Sequence, residues 1–361
     1  MRKKRSLKKI ADEIEAESKE EVKNDLQGYK PNEGDFTKVI STGSTLLDLE
    51  ISGRRIRGGG IPGGVLLEVA GDSQTGKSAI LGEIAASCQA NKGEVRYDDP
   101  EGRLDEEYSK IYGMEINKAN YDTPDTVSQV FRNINHWEPK NNDVINVSCE
   151  DSLAALSTDM EMDNEDGDKM GMRRAKELSE GLRKTCRKIA TNNWVIACSN
   201  QIRVGKGGGT TTPGGKAVGF YASIRIALKP IYGDTKLEKT ITIKRGKDKK
   251  KKVSHKKVIA VRTECEVKKT VDEPYGKCKI SIRFGYGVDD VRENLLYIKQ
   301  NMALDKFICP DGQEYSFVED AAVYIEDNNL ENELREQVID LWEEIDRTFK
   351  EKTKRKKKVR R

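Results

Sequence analysis

The chain is nearly without histidine: His136 and His255 are the only two in 361 residues, and His255 falls in a lysine-rich stretch that reads as a loop. Histidine-based acid-base chemistry therefore has little to work with. Cysteine is scarce and unpatterned. The seven cysteines (Cys88, Cys149, Cys186, Cys198, Cys265, Cys278, Cys309) are odd in number and nowhere spaced as CxxC, which argues against a disulfide framework or a zinc site and for a reducing cytoplasm. No apolar run approaches the ~18 residues of a membrane span, and the basic start, Met1 to Lys9, leads into IADEIEAESKEEV, charged where an export signal has its apolar stretch. The expectation is a soluble, cytoplasmic protein with no membrane partner.

Charge, by contrast, is plentiful: charged residues make up 35% of the chain, as do hydrophobic ones, and the net charge is only +4. The positive charge is localised in MRKKRSLKK at the start, KRGKDKKKK around Lys244 to Lys252, and KEKTKRKKKVRR at the end. Such runs are either solvated tails or surfaces that attract phosphate. At roughly 100–200 residues per domain, the length accommodates one large domain with appendages.

Residues 6–25 place Leu7, Ile10, Ile14 and Val22 among charges, a narrow amphipathic helix that should dock on something, such as a neighbouring subunit. The texture changes near residue 36. Apolar runs of strand length at Val65 to Ala70, Val95 to Tyr97, Val144 to Cys149, Trp194 to Ser199 and Ser223 to Leu228 alternate with helical patterns, including a long one from about Lys169 to Thr191. That alternation predicts an α/β fold with a mostly parallel central sheet covered on both faces. After Lys229, ITIKR, a basic loop, VIAVRTECEVKKTV and CKISIRFGYG read as β-hairpins at one end of the sheet, and from Glu293 the chain reads as helical. The expected units are an N-terminal polymerisation helix and linker (1–36), the core (37–290), a helical module (291–349) and a basic tail (350–361).

Gly71, Asp72, Ser73, Gln74, Thr75, Gly76, Lys77 and Ser78 match the GxxxxGK[ST] P-loop in full, between a predicted strand and a predicted helix that continues through Ala79. In such a loop backbone amides curl around phosphate oxygens, the lysine places a cation near the β and γ phosphates, and the serine hydroxyl serves Mg²⁺. ATP with Mg²⁺ is the implied cofactor pair. Shortly after, DDPEGRLDEEY puts Glu101 just past a short strand, where a carboxylate can orient the attacking water. Taken alone, Asp98, Asp99 and Glu101 also read as a solvated acidic turn.

From STGSTLLD (Ser41 to Asp48) through the P-loop, PEGRLDEEY, EDSLAAL, SNQIR and TTPGGKAVGFYASIRIAL, roughly residues 38–290, the sequence resembles the RecA family of recombinases, and specifically versions carried by bacteriophages. The resemblance implies a RecA-like P-loop ATPase core. Glu101 is implied as the catalytic glutamate, with Lys77 and Gln201 serving the γ-phosphate, Gln201 also relaying its presence to a DNA-binding loop. Asp105 and Tyr108 match adenine-contacting positions, and Asp151 the aspartate that supports Mg²⁺ with Ser78. Two DNA-holding loops correspond to 159–170 and 203–215. In the second, Arg203, Lys206, Gly207, Gly208, Thr210, Thr211, Gly214 and Gly215, with Lys216 beyond it, suit a phosphate backbone followed without base reading. Lys268 falls on one of two positions that reach a neighbouring subunit's ATP; the second holds Thr270, with Lys269 beside it. Phe220 matches an interface phenylalanine.

The implied partners are single-stranded DNA, homologous double-stranded DNA and further copies of the chain in a helical filament, with a single-strand-binding protein as a candidate accessory. A phage gene would place all of this in the bacterial host's cytoplasm. Several features depart from the family's pattern. Asn146 and Ser148 interrupt the strand before Asp151, so that either Glu150 partly substitutes or magnesium is held less well; the second loop offers only Val204 as a bulky apolar residue; and the tail is basic. A ring helicase on the same core, or a DNA-coating protein that hydrolyses ATP poorly, are the competing readings.

Overall fold

The computed structural model describes residues 38–159, 170–204, 210–211, 217–245 and 251–352. The N-terminal amphipathic stretch, residues 160–169 of the first loop and the tail from residue 353 lie outside them.

The described chain enters on β1 (Val39–Ile40), runs into helix α1 (Thr45–Ser52) and returns on β2 (Ile61–Pro62), paired with β1. The STGSTLLD segment has a local cause. Ser44 caps α1, and the buried Asp48 carboxylate accepts the Ser41 hydroxyl at 2.5 Å, the Thr42 amide at 2.8 Å and the Thr42 hydroxyl at 2.7 Å, tying the loop to the helix it precedes.

Six strands then pair in parallel, in the spatial order β10 (Ile224–Pro230), β3 (Val65–Gly71), β7 (Trp194–Gln201), β6 (Asn146–Glu150), β4 (Val95–Asp98) and β5 (Tyr121–Asp122). Because side chains alternate along a strand, each strand serves two cores. On one face Leu67 and Val69 of β3 and Val195 and Ala197 of β7 pack on Ile80, Leu81 and Ile84 of α2 (Lys77–Ala90). On the other, Leu66, Trp194 and Ile196 pack on Val130 and Phe131 of α4 (Val127–His136) and on Leu178 and Leu182 of α5 (Met170–Thr191). Each such burial is worth roughly 1.5–3 kcal/mol, so the sheet is clamped from both sides. A short α3 (Glu106–Tyr112) lies between β4 and β5.

Past β10 the sheet turns antiparallel through β12 (Lys251–Lys269), β13 (Lys277–Arg283) and β14 (Gly287–Val288), with β11 (Lys236–Arg245) paired to β12. The basic stretch read from sequence as a loop is mostly strand: Lys251–Lys257, His255 included, pairs with Lys239–Arg245. Ladder hydrogen bonds to β11 override the weak strand propensity of lysine.

The last segment is α7 (Asp290–Asn301), a hairpin of β15 (Phe307–Ile308) with β16 (Glu314–Tyr315), α8 (Val318–Asp327) and α9 (Glu331–Lys352). Its core gathers Leu295, Ile325, Val338 and Trp342, and it also takes in Leu46 and Leu49 of α1. The segment is therefore mixed in structure, and its core is completed by a helix some 250 residues earlier.

Candidate active site

The carboxyl ends of β3, β4, β6 and β7 converge, the place where open α/β sheets bind ligands. There a cavity of about 740 Å³ is lined by Ser73, Gln74, Gly76, Lys77, Ser78 and Ala79 on one side, and by Glu101, Tyr108, Asp151 and Gln201 on the others. Gly71, Asp72 and Thr75 form the back of the loop, the Thr75 hydroxyl donating to the Asp72 carbonyl at 2.8 Å. The loop's curvature needs glycine at position 76: φ is +93°, and a Cβ there would lie 1.9 Å from Ile282 Cδ1. Gln74 takes a positive φ of 63° on the same curve.

Lys77 Nζ donates to the carbonyls of Gly71 at 3.2 Å and Asp72 at 2.8 Å. Burial lowers its pKa, while the charges of Asp151, Asp72 and Glu101 pull the other way. This ammonium is poised for an anion, since an incoming phosphate would restore what burial removes.

Glu101 faces it, held on two sides. The Ser152 hydroxyl donates to Oε1 at 3.3 Å, and the Arg103 guanidinium lies 2.7 Å from Oε2. The turn carrying Glu101 is built on Asp99, whose buried carboxylate accepts the amides of Glu101, Arg103 and Leu104 at 3.1, 2.7 and 2.8 Å and the Tyr121 hydroxyl at 3.0 Å. A solvated acidic turn is thereby excluded, since Asp98 and Asp99 are both buried.

Asp151 follows β6 and is fixed by two hydroxyls, Tyr97 donating to Oδ2 at 3.2 Å and Ser199 to Oδ1. Glu150 does not substitute for it. Asn146, Ser148 and Glu150 alternate onto the opposite face of the sheet, where Glu150 shares a small void with Phe131, Leu178 and Leu182. Asn146 and Ser148 of this strand are paired: Asn146 accepts the Glu94 amide and donates to the Asn141 carbonyl, each at 2.8 Å, and the Ser148 hydroxyl donates to Glu150 Oε1 at 2.7 Å. Burial, then the neighbouring Asp98, push the Glu150 carboxyl well above the usual range, which favours its protonated form. Asp98, pushed up to about 6 mainly by burial, is drawn back by Arg96 at 2.8 Å and by Asn133.

At the end of β7, Asn200 donates to the buried Glu68 at 3.1 Å, and Gln201 lines the cavity. Two residues on, β8 (Arg203–Val204) pairs with β9 (Thr210–Thr211), so the second loop leaves directly from the cavity wall. Lys206, Gly207, Gly208, Gly214, Gly215 and Lys216 lie outside the described residues, as do most positions of the first loop. Asp105 caps α3 by accepting the Tyr108 amide at 2.7 Å, and Tyr108 packs edge-on against Tyr112.

The structure does not bring Lys268, Lys269 and Phe220 to this cavity. Lys268 pairs with Glu266 at 2.5 Å, Lys269 donates to the Phe220 carbonyl at 3.2 Å, and the Thr270 hydroxyl is turned inward to the Ile51 carbonyl. Phe220, in α6 (Ala217–Tyr221), is 77% exposed, so burial in its own chain does not explain it. Sequence reading also missed Arg103 and the Phe284–Gly285 turn, both in the cavity wall. Phe284 lies some 200 residues from the P-loop, and an aromatic before glycine in FGYG was the only signal.

Among the described residues no group of three or more His, Cys, Asp or Glu could hold a metal by itself. The donor set of one hydroxyl, Ser78, and one hydroxyl-anchored carboxylate, Asp151, fits Mg²⁺, which takes few protein ligands and relies on substrate phosphates and water. No helix among the described residues is long and apolar enough to cross a membrane.

The family described as the RecA N-terminal domain matches residues 7–289. Protein RecA of Ruminococcus albus is 31% identical over 288 residues, covering 78% of this chain and 65% of that protein. Protein RecA of Clostridioides difficile is 30% identical over 314 residues, with 83% and 82% covered, and that of Helicobacter pylori 32% identical over 264 residues, with 72% and 69% covered. The chain thus spans just under two thirds of the Ruminococcus albus relative.

Proposed function

This chain belongs to the RecA family, and on that premise we propose that it is a DNA-dependent ATPase that forms helical filaments on single-stranded DNA and exchanges strands with homologous duplex. The observation that carries this reading is one cavity in which the P-loop ammonium of Lys77 faces two immobilised carboxylates, Glu101 and Asp151.

Phosphates bind against the amides of the Ser73 to Ser78 loop and against Lys77, which exchanges its two carbonyl partners for phosphate oxygens. Ser78 and Asp151 would hold Mg²⁺, whose charge offsets that of the phosphates. Glu101 orients the attacking water and takes its proton, its carboxylate positioned by Ser152 on one oxygen and by the exposed Arg103 on the other. Tyr108 and Phe284 supply the apolar walls for the base. Gln201 senses the γ-phosphate, and because β8 follows it directly, a shift there moves Arg203 and the DNA loop. Lys268, Lys269 and the exposed Phe220 serve a neighbouring copy; a head-to-tail contact that does not close gives a filament. The anchored Asp151 favours hydrolysis over passive coating.

The test is ATP turnover with Mg²⁺, with and without single-stranded DNA. Turnover that rises with DNA is the expected result; equal turnover in both would overturn the proposal.

A further inference from the structure

Strands β11 and β12 run together past the edge of the sheet. Beyond Ala260, β12 leaves β10 and β13 and pairs with β11 alone, from Glu238 opposite Val258 out to Arg245 opposite Lys251. Every side chain from Glu238 to Ile243 and from Lys252 to Lys257 is exposed, on both faces. Among the described residues no core explains this ribbon, and a bare two-stranded hairpin is marginal in water.

Its charge runs against stability as well. The paired segments carry seven lysines and arginines against a single acid, Glu238, which Lys256 occupies. Lys239 stands directly opposite Lys257, and Lys244 opposite Lys252. Like charges across a ladder repel, so the arrangement gains only from a polyanion. The cations are also divided between faces. Lys239 and Lys257 share one with Ile241 and Ile243; Lys252 and Lys256 share the other with Thr240, Thr242 and Ser254, where the Thr242 and Ser254 hydroxyls lie 3.0 Å apart.

We propose that this ribbon is a second DNA site, separate from the loop at residues 203–215, and that it lies in a groove of duplex DNA. The major groove of B-DNA, about 12 Å wide, admits a two-stranded ribbon, and its two walls offer phosphates to both faces at once. A single strand or a membrane surface presents its anions to one face only. Lysines and hydroxyls contacting phosphate fix position without reading sequence, which suits a duplex sampled for homology. The inference rests on the DNA reading above and adds where the duplex is held.

The test uses the full chain and a triple variant, Lys239→Glu, Lys252→Glu and Lys257→Glu, with binding to a short duplex, a single-stranded oligonucleotide and anionic vesicles measured across salt concentrations. Duplex affinity should fall on the order of tenfold or more at low salt, and the slope of log K against log salt should become shallower by roughly 2–3. Single-strand affinity and ATP turnover should stay within about twofold. A second variant joins Glu238 to Val258 through an Asn-Gly turn, keeping the rest of the sheet, and should reproduce the selective loss. Unchanged duplex binding in both variants, equal loss for duplex and single strand, or loss confined to vesicles would overturn the ribbon assignment alone. A wild-type chain that binds no DNA at all would overturn the proposed function along with it.

Discussion

Glu150 and Asp151 are consecutive acids whose side chains meet opposite surroundings. Asp151 looks into the cavity, held by Tyr97 and Ser199 and facing the Lys77 ammonium. Glu150 points through the sheet into an apolar layer of Leu178, Leu182 and Phe131, with Ser148 bonded to it and Arg96 and Asp98 on the adjacent strand. The one-residue step between them changes a carboxylate that lines the nucleotide cavity into one that burial holds in an apolar layer. The two faces of one sheet have separate tasks, and substitution on each should therefore disturb a different measurement.

The largest effect is expected on the cavity face. Lys77→Ala should cut ATP turnover on the order of a hundredfold or more, with the thermal midpoint within a few degrees; turnover close to that of the unaltered chain would remove the P-loop assignment. Glu101→Gln should slow turnover about 10²- to 10⁴-fold and leave nucleotide binding and ATP-stabilised filaments intact. Filaments that fail to assemble with ATP would instead make Glu101 structural.

The next effect separates the neighbours. Asp151→Asn should weaken Mg²⁺-dependent turnover, detected as a raised Mg²⁺ requirement, whereas Glu150→Gln should leave that requirement unchanged. Comparable shifts in both variants would mean that the sheet does not insulate its faces.

The opposite face should be read in stability against pH. The folded state raises Asp98 from 3.8 to about 6 and raises Glu150 well above its ordinary value, so it binds these protons more tightly than the unfolded chain. The contribution of Asp98 is full below pH 3.8 and is lost as pH climbs through about 6. Denaturant titrations of Asp98→Asn with Glu150→Gln should lose a pH dependence on the order of 2 kcal/mol across that window; an unchanged profile would count against the buried acid pair. The smallest expected effect is that of Phe220→Ala. Stability should stay within about 0.5 kcal/mol, while light scattering should show weaker self-association.

How far each region was legible follows from how its residues are spaced. The P-loop is a contiguous string, and its backbone geometry is encoded by Gly71 and Gly76 together with Lys77 and Ser78. The anchors of Asp151 come from strands 54 and 48 residues away, so no local pattern could pair them. The buried network on the far face did leave a trace: Asn146, Ser148 and Glu150 at a spacing of two, and Arg96 and Asp98 likewise, mark one face of adjacent strands. Read as interruptions, those residues suggested a weakened strand; read with period two, they describe a second surface. The ribbon escaped for a different reason. Nothing in KKKKVSHKK favours a strand except a partner to pair with.

The account stands most directly on three-strand exchange between a circular single strand and homologous linear duplex, with ATP and Mg²⁺ and again with a slowly hydrolysed analogue. Joint molecules with either nucleotide, none without nucleotide, and release of finished product only with ATP are predicted. Absence of joint molecules from a chain that binds both ATP and DNA would contradict it.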